Sequence, residues 1–166
     1  SRSFLELNSI VTIKDLLLGL IVQSGNDAAV VLAEGISGDE EAFAREMNRY
    51  AKILGMKNSY FTNATGWPHP DLETTSRDLI ILTRNIIKNF PKLYMLFNEK
   101  VFTYNNIKQS NRNPLLYTMN GADGLKTGHT NESGYGLIGS INKNNRRVSI
   151  IINGLNSKKK RTFESK

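Results

Sequence analysis

Apolar residues at Leu16, Leu17, Leu20 and Ile21 recur three and four positions apart, the period of one helix face. Thr12 and Asp15 stand before them as a hydroxyl cap and a first-turn acid. The run Gln23-Ser24-Gly25-Asn26 favours caps and turns, and it predicts the end of this helix. Asp27 to Ile36 resumes helix, and its richness in Ala and Val predicts burial nearly all round. A third helix is expected from Ser37, with Glu40 completing a capping box. Phe43, Met47, Tyr50 and Leu54 would form its inward face, and Gly55 its C-terminal cap.

After this helical opening the pattern changes. Residues 57–75 hold Gly66, Trp67, Pro68 and Pro70 among Asn and Thr, which predicts a long loop; Trp67 is expected to anchor it in the core, with the lining of a groove as the alternative, and His69 to face solvent. Thr75 and Asp78 open a helix carrying Leu79, Leu82, Ile86 and Ile87, ended by Pro91. Glu99–Tyr104 and Ile107–Gln109 read as a hairpin across Asn105-Asn106. Gly134–Ser140 and Val148–Leu155 are the clearest strand pair, with Lys126-Thr127-Gly128 on an edge strand just before them. Lys158 opens a last helix. Helices first and an antiparallel meander afterwards define an α+β protein, a helical cluster packed on an antiparallel sheet.

Composition adds mostly exclusions. The 166 residues suit one domain or most of one. There is no cysteine, hence no disulfide, thiolate metal site or cysteine nucleophile, and the two histidines have no metal-ligand spacing. No metal or cofactor is expected. No apolar run reaches the roughly 18 residues of a membrane span. The chain starts at Ser1 without a basic-then-apolar leader, so a segment was removed upstream or this is an excised piece. The net charge of +7 comes wholly from Lys143, Arg146, Arg147, Lys158, Lys159, Lys160 and Arg161. That cluster reads as a solvated hairpin tip and helix start. It has no interleaved aromatics to stack bases, so nucleic acid is not an expected partner.

Two short motifs carry chemistry through their placement. Ser24-Gly25-Asn26 falls between two buried helices, and Lys126-Thr127-Gly128 falls on an edge strand about a hundred residues later. These match the second and third elements of the penicillin-binding serine acyltransferases. The likeness extends through Ile21–Ala28 (IVQSGNDA), Met47–Lys52 (MNRYAK), Leu54-Gly55-Met56, Ser76-Arg77-Asp78, Asn111-Arg112-Asn113 and Asp123–His129 (DGLKTGH), all in family order. The sequence therefore resembles the serine-type D-alanyl-D-alanine carboxypeptidases, the low-molecular-mass penicillin-binding proteins, over nearly the whole chain. It departs at one point. The family's nucleophile sits in a Ser-x-x-Lys motif upstream of Ser-x-Asn, and residues 1–23 contain none. Ser140-Ile-Asn-Lys143 and Ser157-Lys-Lys-Lys160 have the spelling but come too late, at a strand end and in the basic cluster, and are read as accidents. Residues 1–166 thus read as an incomplete catalytic domain, without the N-terminal nucleophile segment and without the family's C-terminal domain and membrane anchor.

The resemblance implies roles for seven residues. Ser24 would pass a proton to the leaving D-alanine nitrogen. Asn26 would bind the substrate's amide carbonyl and the upstream lysine. Lys126 would polarise the Ser24 hydroxyl and attract the substrate carboxylate, to which Thr127 offers a hydroxyl. Gly128 would let the peptide lie against the strand. The His129 N–H would supply half of an oxyanion hole, and Arg112 would draw in the terminal carboxylate through its planar fork. Asp78 is read instead as a helix-start acid. The implied reaction is removal of terminal D-alanine from peptidoglycan pentapeptide outside the cytoplasm, inhibited by β-lactams. Membrane attachment would come only through the missing segments, and an uncovered strand edge would favour an oligomer. The competing readings are a β-lactamase of the same fold, for which Glu73 is the only loop glutamate, and a non-catalytic peptidoglycan- or partner-binding module.

Overall fold

A computed structural model describes residues Ser1–Lys166. The chain divides into two compact units, one formed by residues 1–73 and 99–111, the other by residues 74–98 and 112–166.

The first unit begins with α1 (Ile13–Gln23) and α2 (Asn26–Ser37), which pack on each other, and α3 (Glu40–Leu54), which packs on α2. The Thr12 hydroxyl caps α1 by accepting the Asp15 N–H at 3.0 Å. Leu16, Leu18, Ile21 and Val22 are buried, as are Ala28, Ala29 and Ala33 of α2; each large side chain so buried contributes about 1.5–3 kcal/mol. The cap of α3 lies two residues later than expected. Asp39 is the cap, accepting the Ala42 N–H, because Ser37 is used as the last residue of α2. Glu40 reaches out of the helix to accept the Ala64 N–H of the long loop at 2.9 Å. The inward face is also rotated. Ala44 and Ala51 are the buried positions, whereas Tyr50 is exposed with the Arg49 guanidinium 4.4 Å from its ring centre.

The loop of residues 57–75 is tied down by polar side chains. Asn48 on α3 donates to the Phe61 carbonyl (2.7 Å) and accepts its N–H (2.8 Å), imitating a strand neighbour. Asn63 spans the turn by donating to the Trp67 carbonyl and accepting its N–H. With these bonds in place the loop needs no aromatic anchor, and Trp67 is 66% exposed; the expectation that it enters the core fails. The hairpin of β1 (Val101–Tyr104) and β2 (Ile107–Ser110) completes this unit, with α1 against it. Asn105 and Asn106 both have positive φ, 47° and 60°, the two-residue turn whose twist suits hairpins.

The second unit is built on an antiparallel meander of β3 (Ala122–Thr130), β4 (Gly134–Lys143) and β5 (Arg146–Leu155), in that order, so β3 and β5 are the sheet edges. β4 and β5 join through Asn144-Asn145, again both at positive φ. α4 (Ser76–Asn89) packs on β5, capped by Thr75 as expected, with Asp78 buried at its start. The short α5 (Pro91–Tyr94) packs on α4, and a 3-10 turn at Met95–Asn98 packs on β3, as does α6 (Leu115–Thr118). α7 (Lys158–Glu164) packs on β4 and β5. No helix is long and apolar enough to cross a membrane.

Candidate active site

Ser24 and Asn26 lie in the first unit, at the break between α1 and α2. Ser24 ends α1 in the left-handed region, φ 54° and ψ 43°, a conformation that costs a residue with a side chain about 1 kcal/mol or more. The Gly25 N–H closes the turn on the Gly19 carbonyl at 3.0 Å. A side chain at Gly25 would strike Ser3 Oγ, and its Cβ would lie 2.8 Å from Asp27 Oδ1, so only glycine fits. Asn26 opens α2 and donates its N–H to the Ser1 carbonyl at 3.0 Å. Asp27 accepts the Ser3 N–H with both carboxylate oxygens, at 2.8 and 2.9 Å, and the Ala28 N–H at 2.9 Å. A carboxylate suits this helix start, and here it also fastens the chain's first residues beside the turn. Asp27 carried no expected role of its own.

Lys126, Thr127, Gly128 and His129 follow one another along the edge strand β3 in the second unit, as expected. Lys126 Nζ donates to the Thr127 carbonyl at 2.9 Å. Burial pulls the Lys126 ammonium down to about 8, and the positive charges of Arg112 and Arg161 push the same way. Thr127 is buried. A Cβ built on Gly128 would meet nothing within 4 Å, so the strand is open at that point to an approaching chain. The exposed His129 ring lies against Tyr135, with 3.8 Å between ring centres.

Arg112, also exposed, shares this positive region, and its carbonyl accepts the Arg161 Nη2 at 3.4 Å. Arg161 was not foreseen. It sits on α7, only 7% exposed, 5.8 Å from the Tyr135 ring, and its buried Nε has no hydrogen-bond partner. Burial lowers its pKa, yet an arginine stays charged. Three cations on neighbouring segments raise a positive potential suited to a carboxylate.

Two of the seven basic residues read as solvated are therefore in use. Arg161 belongs to this region, and Arg147 forms a two-pronged pair with Asp123. In the sequence each stands beside other cations, and neither run has a period that separates the buried member from its solvated neighbours. Ser140 lies inside β4, further from a strand end than expected, with its hydroxyl accepting from Arg147; Ser157 caps α7. Neither opens a buried helix. No group of three or more His, Cys, Asp or Glu could hold a metal ion.

A serine–glycine–asparagine turn between buried helices and a Lys-Thr-Gly edge strand in an α+β framework define a penicillin-binding, active-site-serine type of protein. The profile of the D-alanyl-D-alanine carboxypeptidases matches residues 1–157, and the chain belongs to that family. It is 45% identical over 169 residues to the D-alanyl-D-alanine carboxypeptidase DacA of Haemophilus influenzae, covering 100% of this chain and 43% of that protein. Among solved structures, penicillin binding protein 5 of Haemophilus influenzae matches with a TM-score of 0.96 and 43% identity, over 99% of this chain and 48% of the other. Penicillin-Binding Protein D2 of Listeria monocytogenes in its ampicillin-bound form matches with a TM-score of 0.86 and 29% identity, over 97% of this chain and 71% of the other. The chain spans less than half the length of the Haemophilus relatives.

Proposed function

We propose that the whole protein removes terminal D-alanine from peptidoglycan pentapeptides through an acyl-serine intermediate, and that β-lactams acylate the same serine. The observation that carries this reading is the open edge strand Lys126-Thr127-Gly128 in the positive field of Arg112 and Arg161. The ampicillin-bound Listeria relative supports it.

In this reading the nucleophile is a Ser-x-x-Lys serine outside residues 1–166, activated by its neighbouring lysine. Its oxygen attacks the penultimate carbonyl, the C–N bond breaks, and an ester forms. Ser24 delivers the proton that the departing D-alanine nitrogen needs. Lys126 has the role of keeping that hydroxyl polarised. The substrate's terminal carboxylate rests on Thr127, Arg112 and Arg161, and its backbone lies along the open side of Gly128. Asn26 donates to the substrate amide and holds the upstream lysine. The His129 N–H forms half of the oxyanion hole. Water then hydrolyses the ester. No metal or cofactor takes part, and the site works outside the cytoplasm, where peptidoglycan lies.

The test is intact-mass spectrometry after incubation with a labelled penicillin. The full-length protein should gain one adduct, on a serine outside residues 1–166. The 166-residue chain alone should gain none, because removing a nucleophile from such a unit costs orders of magnitude. An adduct on Ser24, Ser140 or Ser157 would overturn the assignment.

A further inference from the structure

The strand that carries Lys126 is not a regular ladder. Ala122 pairs with Ile141 and Gly124 with Ser140, so two steps on β3 match one on β4 and Asp123 is the extra residue of a bulge. Side chains alternate along a strand, and a shift of one residue sends every later side chain to the opposite face. With the bulge, Lys126 pairs with Ile138 and Thr127 with Leu137. Without it, Lys126 would oppose Leu137, which is 1% exposed, on the face that Leu125 and Thr127 now occupy.

The bulged residue is held by three hydrogen bonds from two side chains. Asp123 accepts both arms of the Arg147 fork, at 2.8 and 2.7 Å, and the Tyr94 hydroxyl at 2.8 Å. Arg147 also donates to Ser140 Oγ at 2.6 Å, the β4 residue on which the bulge closes. It comes from β5, where it pairs with Asn142 of β4. A Cβ at Gly124 would lie 2.8 Å from the Tyr94 hydroxyl, so glycine is required where the ring meets the strand. From the other direction, Asn113 donates to the Gly124 carbonyl at 2.8 Å. Burial pushes the Tyr94 hydroxyl up to about 12, and the Asp123 pair raises the Arg147 pKa.

We propose that Asp123, Arg147 and Tyr94 are positioning residues that lock the β3 bulge and thereby decide which face of the strand presents Lys126. The role rests on the function proposed above only in its kinetic consequence. Fixing Lys126 among Arg112 and Arg161 does not depend on which reaction follows.

The experiment uses the full-length protein with Asp123→Ala, Arg147→Ala, the two combined, Arg147→Lys and Tyr94→Phe. Two quantities are read in each: the rate of acylation by a labelled penicillin, and the Lys126 titration by NMR of lysine-labelled protein, assigned with Lys126→Arg. Each alanine variant should slow acylation tenfold or more and move the Lys126 titration upward, toward that of an ordinary lysine. The double variant should be no worse than the weaker single one, as for a unit. Arg147→Lys should recover part of the rate, and Tyr94→Phe should show the same changes on a smaller scale. Variants that lose thermal stability but keep the acylation rate and the Lys126 titration would overturn the proposal. If the wild type itself is not acylated, the carboxypeptidase reading fails, and the clamp stands or falls on the Lys126 titration alone. Should the alanine variants not fold, Arg147→Lys and Tyr94→Phe decide in the same way.

Discussion

The Ser24 turn and the Lys126 strand are held in place by different means. The turn is shaped at its own positions: by a left-handed serine, by a glycine that admits no side chain, and by the adjacent Asp27, which accepts the Ala28 N–H and fastens Ser3, 24 residues earlier. The strand is held by side chains from other segments, Tyr94, Asn113 and Arg147, which lie 29, 11 and 24 residues from their partners. Local geometry of the first kind tolerates little change at its own positions. Geometry of the second kind is sensitive to residues that never approach a substrate.

The largest effect should separate the two regions by chemistry. In the full-length enzyme, Lys126→Ala should lower kcat/KM for D-Ala-D-Ala peptides about 10²–10³-fold, the scale for a preorganised charge. Ser24→Ala should cost about 10²–10⁴-fold, the scale of proton transfer. A kinetically silent Ser24→Ala would reduce the turn to a helix cap and end the comparison. Next comes Arg112→Ala, expected to cost about 1.5–3 kcal/mol in kcat/KM, the scale of a charge-assisted hydrogen bond; wild-type kinetics would leave Arg112 as a solvated loop residue.

Stability sharpens the contrast further. Gly25→Ala should destabilise the chain by about 1–3 kcal/mol through overpacking against Ser3 and Asp27, read as a fall in the denaturation midpoint. Gly128→Ala should leave stability unchanged, since its Cβ meets open space. Lys126 gives a smaller, pH-dependent signature. Its folded pKa of about 8 lies below the ordinary 10.5, so the unfolded state binds more protons between those values and stability rises with pH across that window. Denaturant titrations from pH 7 to 10.5 should show this slope, flattened in Lys126→Met.

Much of this molecule was written in local pattern. The cap at Thr12, the glycine at the end of α3, the asparagine turns and the β4–β5 pair all follow from neighbours within a few residues, where propensity and capping act. The two motifs were legible because the chemistry demands particular residue types in a particular order. The start of α3 was misplaced because Ser37 and Asp39 are both good caps and only packing chooses between them. Trp67 was sent to the core because a lone aromatic is usually an anchor; Asn48 and Asn63 had already supplied the anchorage. The sequence by itself determined the longer helices and strands, the family and the choice of seven candidate residues. Only the tertiary structure decided that Arg161 is buried among cations while Lys158–Lys160 are solvated, and that Asp123 with Arg147 fixes a bulge. The physical reason is that charge burial and strand register depend on partners tens of residues away, and no local period records them.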